Sequence, residues 1–334
     1  MRNDMTMIST RIRLARNIDG LPFPHKLSEV HARKIIDKVE SALAPVDRFT
    51  RYDIGGLSEL EGNILREKHL ISSDLLSESP YGSVLLSADE TVSVMVNEED
   101  HIREQVILSG LALDQAYDRI NHIDDILEKN IKFAYSQRFG YLTACATNLG
   151  TGMRASVMMF LPALTMLNLV DSCINDVGRL NITVRGVYGE GSRVEGYMYQ
   201  ISNQHTLGLT EGEILDSVKS AINHIADAEL SAREQLRRDE ASLKDKIFRA
   251  WGIAGNAYKL SSGEAVELLS LIRLGAYYEY TEIFDANAFQ KLVTDCQPAN
   301  MHFIVGKNIS VDERDVLRAR YISTQLGATV KCNR

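Results

Sequence analysis

Closely spaced cysteines are missing from this chain: its four thiols, Cys145, Cys173, Cys296 and Cys332, form no C-x-x-C pair. That excludes a zinc ribbon and gives no sign of a disulfide framework, so a reducing compartment is expected. Positive charge is also short, with 37 basic residues against 45 acidic ones and a net charge of −8. Such a balance argues against a protein whose affinity rests on nucleic-acid phosphates. No apolar run approaches the length that spans a bilayer, and the opening MRNDMTMISTRIRL lacks the core of a signal peptide. A cytoplasmic setting without membrane contact is the expectation. Neither G-x-x-x-x-G-K-[ST] nor G-x-G-x-x-G occurs, which removes the two familiar glycine-rich phosphate loops. No His/Cys cluster has metal-ligand spacing, and His69, His101 and His205 stand alone, so no metal ligand is assigned.

What is present is an ordinary globular composition, 45% apolar and 25% charged over 334 residues, enough for one large domain and a smaller one. Ser83–Asn97 reads as two β-rich runs about a turn. Tyr141–Cys145, Leu180–Tyr188 and Glu195–Ser202 add strands, and helices are expected over His101–Asn130 and Met153–Val170. After Thr210 the spacing becomes helical, opening on a Thr210-x-x-Glu213 capping box, with further boxes at Ser261-x-x-Glu264 and Ser310-x-x-Glu313. Pro298 separates two later helices, and Met301–Val305 is the one later run with strand character. The pattern predicts an α+β domain over residues 1–230 and a smaller helical domain over 231–334.

The stretch with most chemistry is Tyr141–Ser156, YLTACATNLGTGMRAS. A thiol at Cys145, backbone freed by Gly150 and Gly152 to approach a phosphate, and the guanidinium of Arg154 suggest a site that holds anions. In Ser9-Thr10-Arg11-Ile12-Arg13, alternation puts both arginines on one face of a strand, either a fork for phosphates or a plain basic edge strand. Glu98-Glu99-Asp100 closes a strand just before a helix, where acids either cap the helix or bind a cation. After Arg185, Gly189 and Gly191 would let Glu190 sit in a tight loop, or they mark a plain hairpin turn.

In order and spacing, STRIR, VNEEDHIR, CATNLGTGMRAS, VRGVYGEGSRVEG and YQISNQHTLGLTEGE resemble the catalytic domain of the ATP:guanido phosphotransferases, the phosphagen kinase family. EKHLIS at Glu67–Ser72 and RASVM at Arg154–Met158 are similar to its bacterial protein arginine kinase branch. The resemblance implies an antiparallel sheet flanked by helices. It also implies transfer of the γ-phosphoryl of ATP to protein arginine, with Mg2+ held mainly by the nucleotide phosphates. It places ATP against Ser9, Thr10, Arg11, Ile12 and Arg13, against His69 and Arg103, and against Arg154, Ala155, Ser156, Val157 and Met158. Arg185, Gly186, Val187, Tyr188, Gly189 and Glu190 complete that set. Glu99, as base, and Glu190 would grip the acceptor guanidinium, with Cys145 beside it as an electrostatic positioner.

The residue types suit that chemistry. Preorganised arginines stabilise a phosphoryl group in flight, and two carboxylates can orient a planar guanidinium. Ala146 departs from the proline that usually follows the cysteine, and Met158 stands where small-molecule phosphagen kinases carry a histidine. Only eight residues precede Ser9, so the family's helical N-terminal cover is not represented, and an uncovered site is expected to admit a protein-borne arginine. Arg314-Asp315-Val316-Leu317-Arg318-Ala319 matches the family's RDxxRA motif, an allosteric phosphoarginine-binding site. Spacing alone leaves Arg314, Asp315, Arg318 and Ala319 as a solvated helix face. The resemblance further implies a homodimer, a zinc-binding activator protein, a heat-shock repressor and a Clp protease as partners, in a stress response. A kinase of free arginine or another small guanidine, and an inactive phosphoarginine-binding adaptor, are the competing readings.

Overall fold

A computed structural model describes residues 5–186, 195–306 and 309–333. Its first strand sets the plan. In β1 (Met7–Arg16), Ile12 and Leu14 are buried on one side while Ser9, Arg11 and Arg13 turn to the other. There follow α1 (Glu29–Leu43), β2 (Phe49–Asp53), α2 (Glu59–Glu67), α3 (Ser73–Glu78), β3 (Ser83–Ser87), β4 (Val92–Val96), β5 (Ile102–Ser109) and α4 (Leu113–Asn130). The middle of the chain holds a small hairpin, β6 (Tyr135–Ser136) and β7 (Gly140–Tyr141), then β8 (Met153–Phe160), α5 (Pro162–Met166), α6 (Val170–Gly178), β9 (Ile182–Gly186) and β10 (Met198–Asn203). Helices α7 (Glu211–Leu236), α8 (Glu240–Asn256) and α9 (Ser262–Tyr277), strand β11 (Thr281–Ile283), α10 (Ala286–Asp295), α11 (Pro298–Val305), α12 (Val311–Thr329) and β12 (Val330–Cys332) complete it.

Eight strands form one antiparallel sheet in the order β2-β3-β4-β5-β1-β8-β10-β9. Its inner face, with Ile12, Val94, Val106, Ala155, Val157 and Ile201, packs against Ile120 and Leu127 of α4 and Val218 and Ile222 of α7. The opposite face is covered only at its ends. Leu65, Leu70 and Leu75 of the α2–α3 segment pack on Val84, Leu86 and Met95 at one end. At the other, Leu243, Ile247, Leu274 and Tyr278 pack around Phe160. The middle, over β5, β1 and β8, stays open.

Two buried ties join the later helices to the sheet. Glu67, at the end of α2, accepts from the backbone amides of Ala299 (2.8 Å) and Asn300 (2.9 Å) and from the Asn300 side chain (2.8 Å), capping α11. Gly196, at φ 65°, lets α9 approach so closely that a Cβ there would lie 2.6 Å from Val266. Among the described residues no helix is long and apolar enough to cross a membrane.

Several expected elements change. The segment expected to be helical from His101 is a strand until Ser109, and Met153–Phe160 is strand β8. Both strands are held by ladders to β1, and long-range pairing overrides the helical propensity of Met, Ala and Arg. Met301–Val305 lies in helix α11, started by Pro298 and ended at left-handed Gly306. The later strands are instead the β11–β12 pair. Of Tyr141–Cys145 only the first residue is strand, and Ala146–Asn148 is a 3₁₀ turn. Of the three predicted capping boxes, those at Thr210 and Ser310 close in both directions, while at Ser261 only the half in which the serine accepts from the Glu264 amide is formed. Residue 230 lies inside α7, which runs unbroken to Leu236.

Candidate active site

Register brings the arginines together. Arg13 of β1 faces Arg154 of β8 directly and Arg11 faces Ser156, while Gln200 of β10 pairs with Met158 on one side and Arg185 of β9 on the other. Arg103 of β5 opposes Ala15, one pleat along from Arg13. With strands about 4.8 Å apart, five guanidinium groups share the open face. Like charges so close together repel. Burial, then Arg154 and Arg103, push Arg11 down to about 10. Burial, Arg11, Arg103 and Arg154 hold Arg13 well below its ordinary value, opposed by Glu98. Arg154 is lowered by burial and by Arg185 and Arg103, and its Nε is buried without a partner. Among the described residues no carboxylate lies within ion-pair distance of Arg11 or Arg13. Clustered guanidinium groups of this kind can hold a polyanion.

Beside it a cavity of about 150 Å³ is lined by Ser9, Arg11, His69, Ser156, Met158 and Gln200, among others. His69 follows α2 with φ 60°, and its carbonyl accepts from Gln105 (2.8 Å). His69 is exposed at the cleft rim, where desolvation by the surrounding protein and the charge of Arg11 lower its imidazole to about 4, so it is neutral near pH 7. Thr10, Ile12, Ala155 and Val157, also expected at the site, turn their side chains to the inner face and are fully buried. Their strand backbones alone border the cleft.

Glu98, Glu99 and Asp100 sit in the turn between β4 and β5, not before a helix, so the helix-cap reading of this run is set aside. Each has its own task. Glu98 is buried and accepts from Arg103 (2.5 Å) and from Ser72. Asp100, fully buried, accepts from Asn17 (2.6 Å) and from the Ala144 amide (2.7 Å), pinning the segment that leads into Cys145. Glu99 projects to solvent, 3.4 Å from Arg103. Partial burial raises its pKa, and Asp100, Glu98 and Asp74 add to that against the pull of Arg103. It borders a cavity of about 370 Å³ together with Asp74, Glu78, Glu98, Tyr81 and Ala144. An acidic pocket open to solvent thus adjoins the arginine face, with Arg103 between them. Asp100→Ala should lower stability by about 3 kcal/mol, because two hydrogen bonds to a buried carboxyl group are lost and their donors left unpaired. Thermal melts would check this, and turnover should fall as the cysteine segment loosens.

Cys145 is half-buried at the start of the 3₁₀ turn, its Sγ 3.0 Å from Thr147 Oγ1. Its ψ of 127° is the extended conformation a following proline would require, so Ala146 keeps the geometry without the ring. Gly150 and Gly152 are required by close backbone packing. Gly150 (φ 112°) packs on the Thr206 backbone and Gly152 (φ 65°) on that of Ala15, where a Cβ would lie 2.5 and 2.6 Å away. Thr206 Oγ1 also donates to the carbonyls of Thr147 and Leu149, fixing the loop.

Residues 32–232 match the family model described as ATP:guanido phosphotransferase, C-terminal catalytic domain, and residues 240–333 match that of the protein-arginine kinase McsB C-terminal domain. The chain belongs to the ATP:guanido phosphotransferase family. Within it, the chain is 43% identical over 326 residues to a protein-arginine kinase of Caldanaerobacter subterraneus, covering 96% of each. It is 41% identical to one of Clostridium acetobutylicum, covering 98% of this chain and 97% of that one. The duplicated taurocyamine kinase of Schistosoma mansoni, solved with transition-state analogue components, superposes with a TM-score of 0.60 at 28% identity, over 67% of this chain and 33% of that chain. A lombricine kinase gives a TM-score of 0.60 at 26% identity, over 68% and 67%. The α+β fold with its antiparallel sheet and helical later part is that of this family.

Of the family motif around Arg185, Val187, Tyr188, Gly189 and Glu190 lie outside the described residues. The RDxxRA motif is on α12, but it is not a solvated face. Arg318 is fully buried and donates to the carbonyls of Cys296 (2.7 Å) and Leu260 (2.8 Å) and to Asp315 (2.5 Å). Ala319 is buried with it, while Arg314 is half-buried. Sequence reading placed Asp100 and Thr206 in motifs without their supporting roles, and missed the support Asn17 and the acids Asp74 and Glu78. These polar residues touch the site only through long-range contacts, and no local spacing marks them.

Proposed function

We propose that this chain transfers the γ-phosphoryl group of ATP to the guanidinium of arginine side chains in proteins. One observation carries the reading: a five-arginine face for a polyphosphate lies directly beside a solvent-open acidic pocket for a cation, joined at Arg103. The relatives named protein-arginine kinase support a protein-borne acceptor.

In this proposal Arg11, Arg13, Arg103, Arg154 and Arg185 hold the phosphates, and Ser9, His69, Ser156 and Met158 border the rest of the nucleotide. As the N–P bond forms and the O–P bond to departing ADP breaks, Glu99 takes the proton that arginine cannot lose in water. Its raised pKa suits a base that must accept that proton. Glu190 is proposed as the second grip on the acceptor. Cys145 is assigned to positioning, since the acceptor is a cation and no phosphocysteine is needed. Mg2+ is proposed, on the family resemblance, to be carried by the nucleotide phosphates. It would neutralise phosphate charge there.

Residues 1–230 are proposed as the catalytic unit and 231–334 as a regulatory and dimerising one. Arg314, Asp315, Arg318 and Ala319 are proposed to sense phosphoarginine. Support comes from Arg314 Nε and Arg318 Nη2, which are buried without hydrogen-bond partners. A zinc-binding activator, a heat-shock repressor and a Clp protease are carried as proposed partners on resemblance alone. Incubating the protein with Mg-ATP and either free arginine or an arginine-rich protein tests the acceptor. Acid-labile phosphate is expected on the protein; label on free arginine alone would assign a small-guanidine kinase, and none on either an adaptor.

A further inference from the structure

A second cavity, of about 140 Å³, lies between the sheet and the later helices. From the sheet side it is lined by Ser9, His69 and Met158, which also border the cleft beside Arg11. From the other side come Leu269 and Arg273 of α9 and Phe289 of α10. The cavity is therefore an extension of the phosphate cleft, walled by helices outside the catalytic-domain match.

Arg273 is the unusual member. It is 6% exposed, lies over the rings of Phe160 (5.6 Å) and Phe289 (5.1 Å), and has no carboxylate within ion-pair distance among the described residues. Its Nη2 donates to Gln290 Oε1 (2.7 Å), while Nη1 is buried without a partner. A buried cation with an idle donor is costly to fold around, and an apolar side chain would fill the space better. The cost is offset if a ligand brings an acceptor. Met158, Leu269 and Phe289 give apolar and aromatic surface against which a flat ring can lie, and Ser270, Gln290 and Thr294 add polar groups to the lining.

Distance along the sheet identifies that ring. From Ser9, at the mouth of this cavity, to Arg13, amid the guanidinium cluster, β1 advances four residues, about 13 Å at about 3.3 Å per residue. A nucleoside triphosphate laid along β1 with its terminal phosphate at Arg13 therefore puts its base at Ser9. We infer that α9 and α10 complete the nucleotide site, the base entering this cavity and Arg273 donating to a ring nitrogen acceptor. The inference rests on the phosphate assignment of the arginine face. The Glu67 cap on α11 holds the wall in place, because α11 directly follows α10 and Glu67 is two residues from His69.

Calorimetry with ADP and with tripolyphosphate, which has phosphates and no base, tests this on the full chain. In Arg273→Met the ADP dissociation constant should rise tenfold or more while that of tripolyphosphate stays within twofold. An ADP change below threefold, or an equal weakening of both, overturns the inference. Should that variant fold poorly, hydrogen exchange on the parent protein decides. ADP should protect amides of Ser262–Tyr277 and Ala286–Asp295 and tripolyphosphate should not; equal protection, or none, overturns it. Failure of tripolyphosphate to bind the parent would instead remove the phosphate assignment, with the ADP exchange arm still reporting on the cavity.

Discussion

Glu99→Gln should lower kcat by about 10²–10⁴-fold, the range a positioned general base contributes, while ADP affinity stays within threefold. Gln keeps the size and one acceptor oxygen but cannot take a proton. Glu99 touches the nucleotide side of the site only through Arg103, 3.4 Å away, and Arg103 keeps its shorter contact with Glu98. The pH profile supplies a second reading. Burial first, then neighbouring acids, raise the Glu99 pKa above the ordinary 4.5, so the base is lost on acidification at a pH above that value. The acid limb of kcat should lie there in the parent and be missing from the residual rate of the variant. A kcat within tenfold of the parent would remove Glu99 from the base role.

Arg13→Met should do two opposite things: cut kcat/KM for ATP by about 10³-fold, and raise the melting temperature of the nucleotide-free protein. The first follows from removing a preorganised cation from the developing phosphoryl charge, where loss of one donor costs about 10²–10³, with ground-state binding lost in addition. The second follows from the crowding of charge. Burial, Arg11, Arg103 and Arg154 depress the Arg13 pKa. The unfolded chain keeps this proton up to about 12.5, so the folded state carries the penalty throughout the neutral range. It would be relieved only as pH rises through the depressed folded value. A methionine relieves it at every pH, and a rise of about 2 °C is expected if roughly 1 kcal/mol is recovered. Scanning calorimetry with and without ADP checks both halves, since ADP should stabilise the parent far more than the variant. A lower melting temperature without ligand would mean that packing of the Arg13 stem outweighs repulsion.

Much of the site could be read before the fold was known, because its chemistry is local. Arg11 and Arg13 alternate on one strand, and Arg103, Arg154 and Arg185 each sit in a short motif with fixed order. What could not be read is that these segments are neighbours in one sheet. That depends on β5 and β8 being strands, and both were expected to be helical. Their alternation is partly hidden: in β8 the outward positions are Arg154, Ser156 and Met158, and the methionine disguises the polar face. Thr10, Ile12, Ala155 and Val157 belong to the right strands but the wrong face, which follows from the period of two once the pairing is known. The arginines of α12 were misjudged for a different reason. A period of four places Arg314 and Arg318 on one side of a helix, but only packing against α8 and α11 decides whether that side meets water.

Helix α7 has a mechanical consequence. It is 26 residues long, about 39 Å at about 1.5 Å per residue. Its first half lies under the sheet through Val218 and Ile222. Near its far end, buried Glu229 accepts from the amides of Ala163 and Leu164, and Tyr278 donates to the carbonyl of Arg233. One stiff rod is thus clamped at one end to the floor of the reaction centre and at the other to the later helices. The rod also lies against β8 and β10, the strands that carry Arg154 and Gln200, so the later helices and the reaction centre share one rigid support.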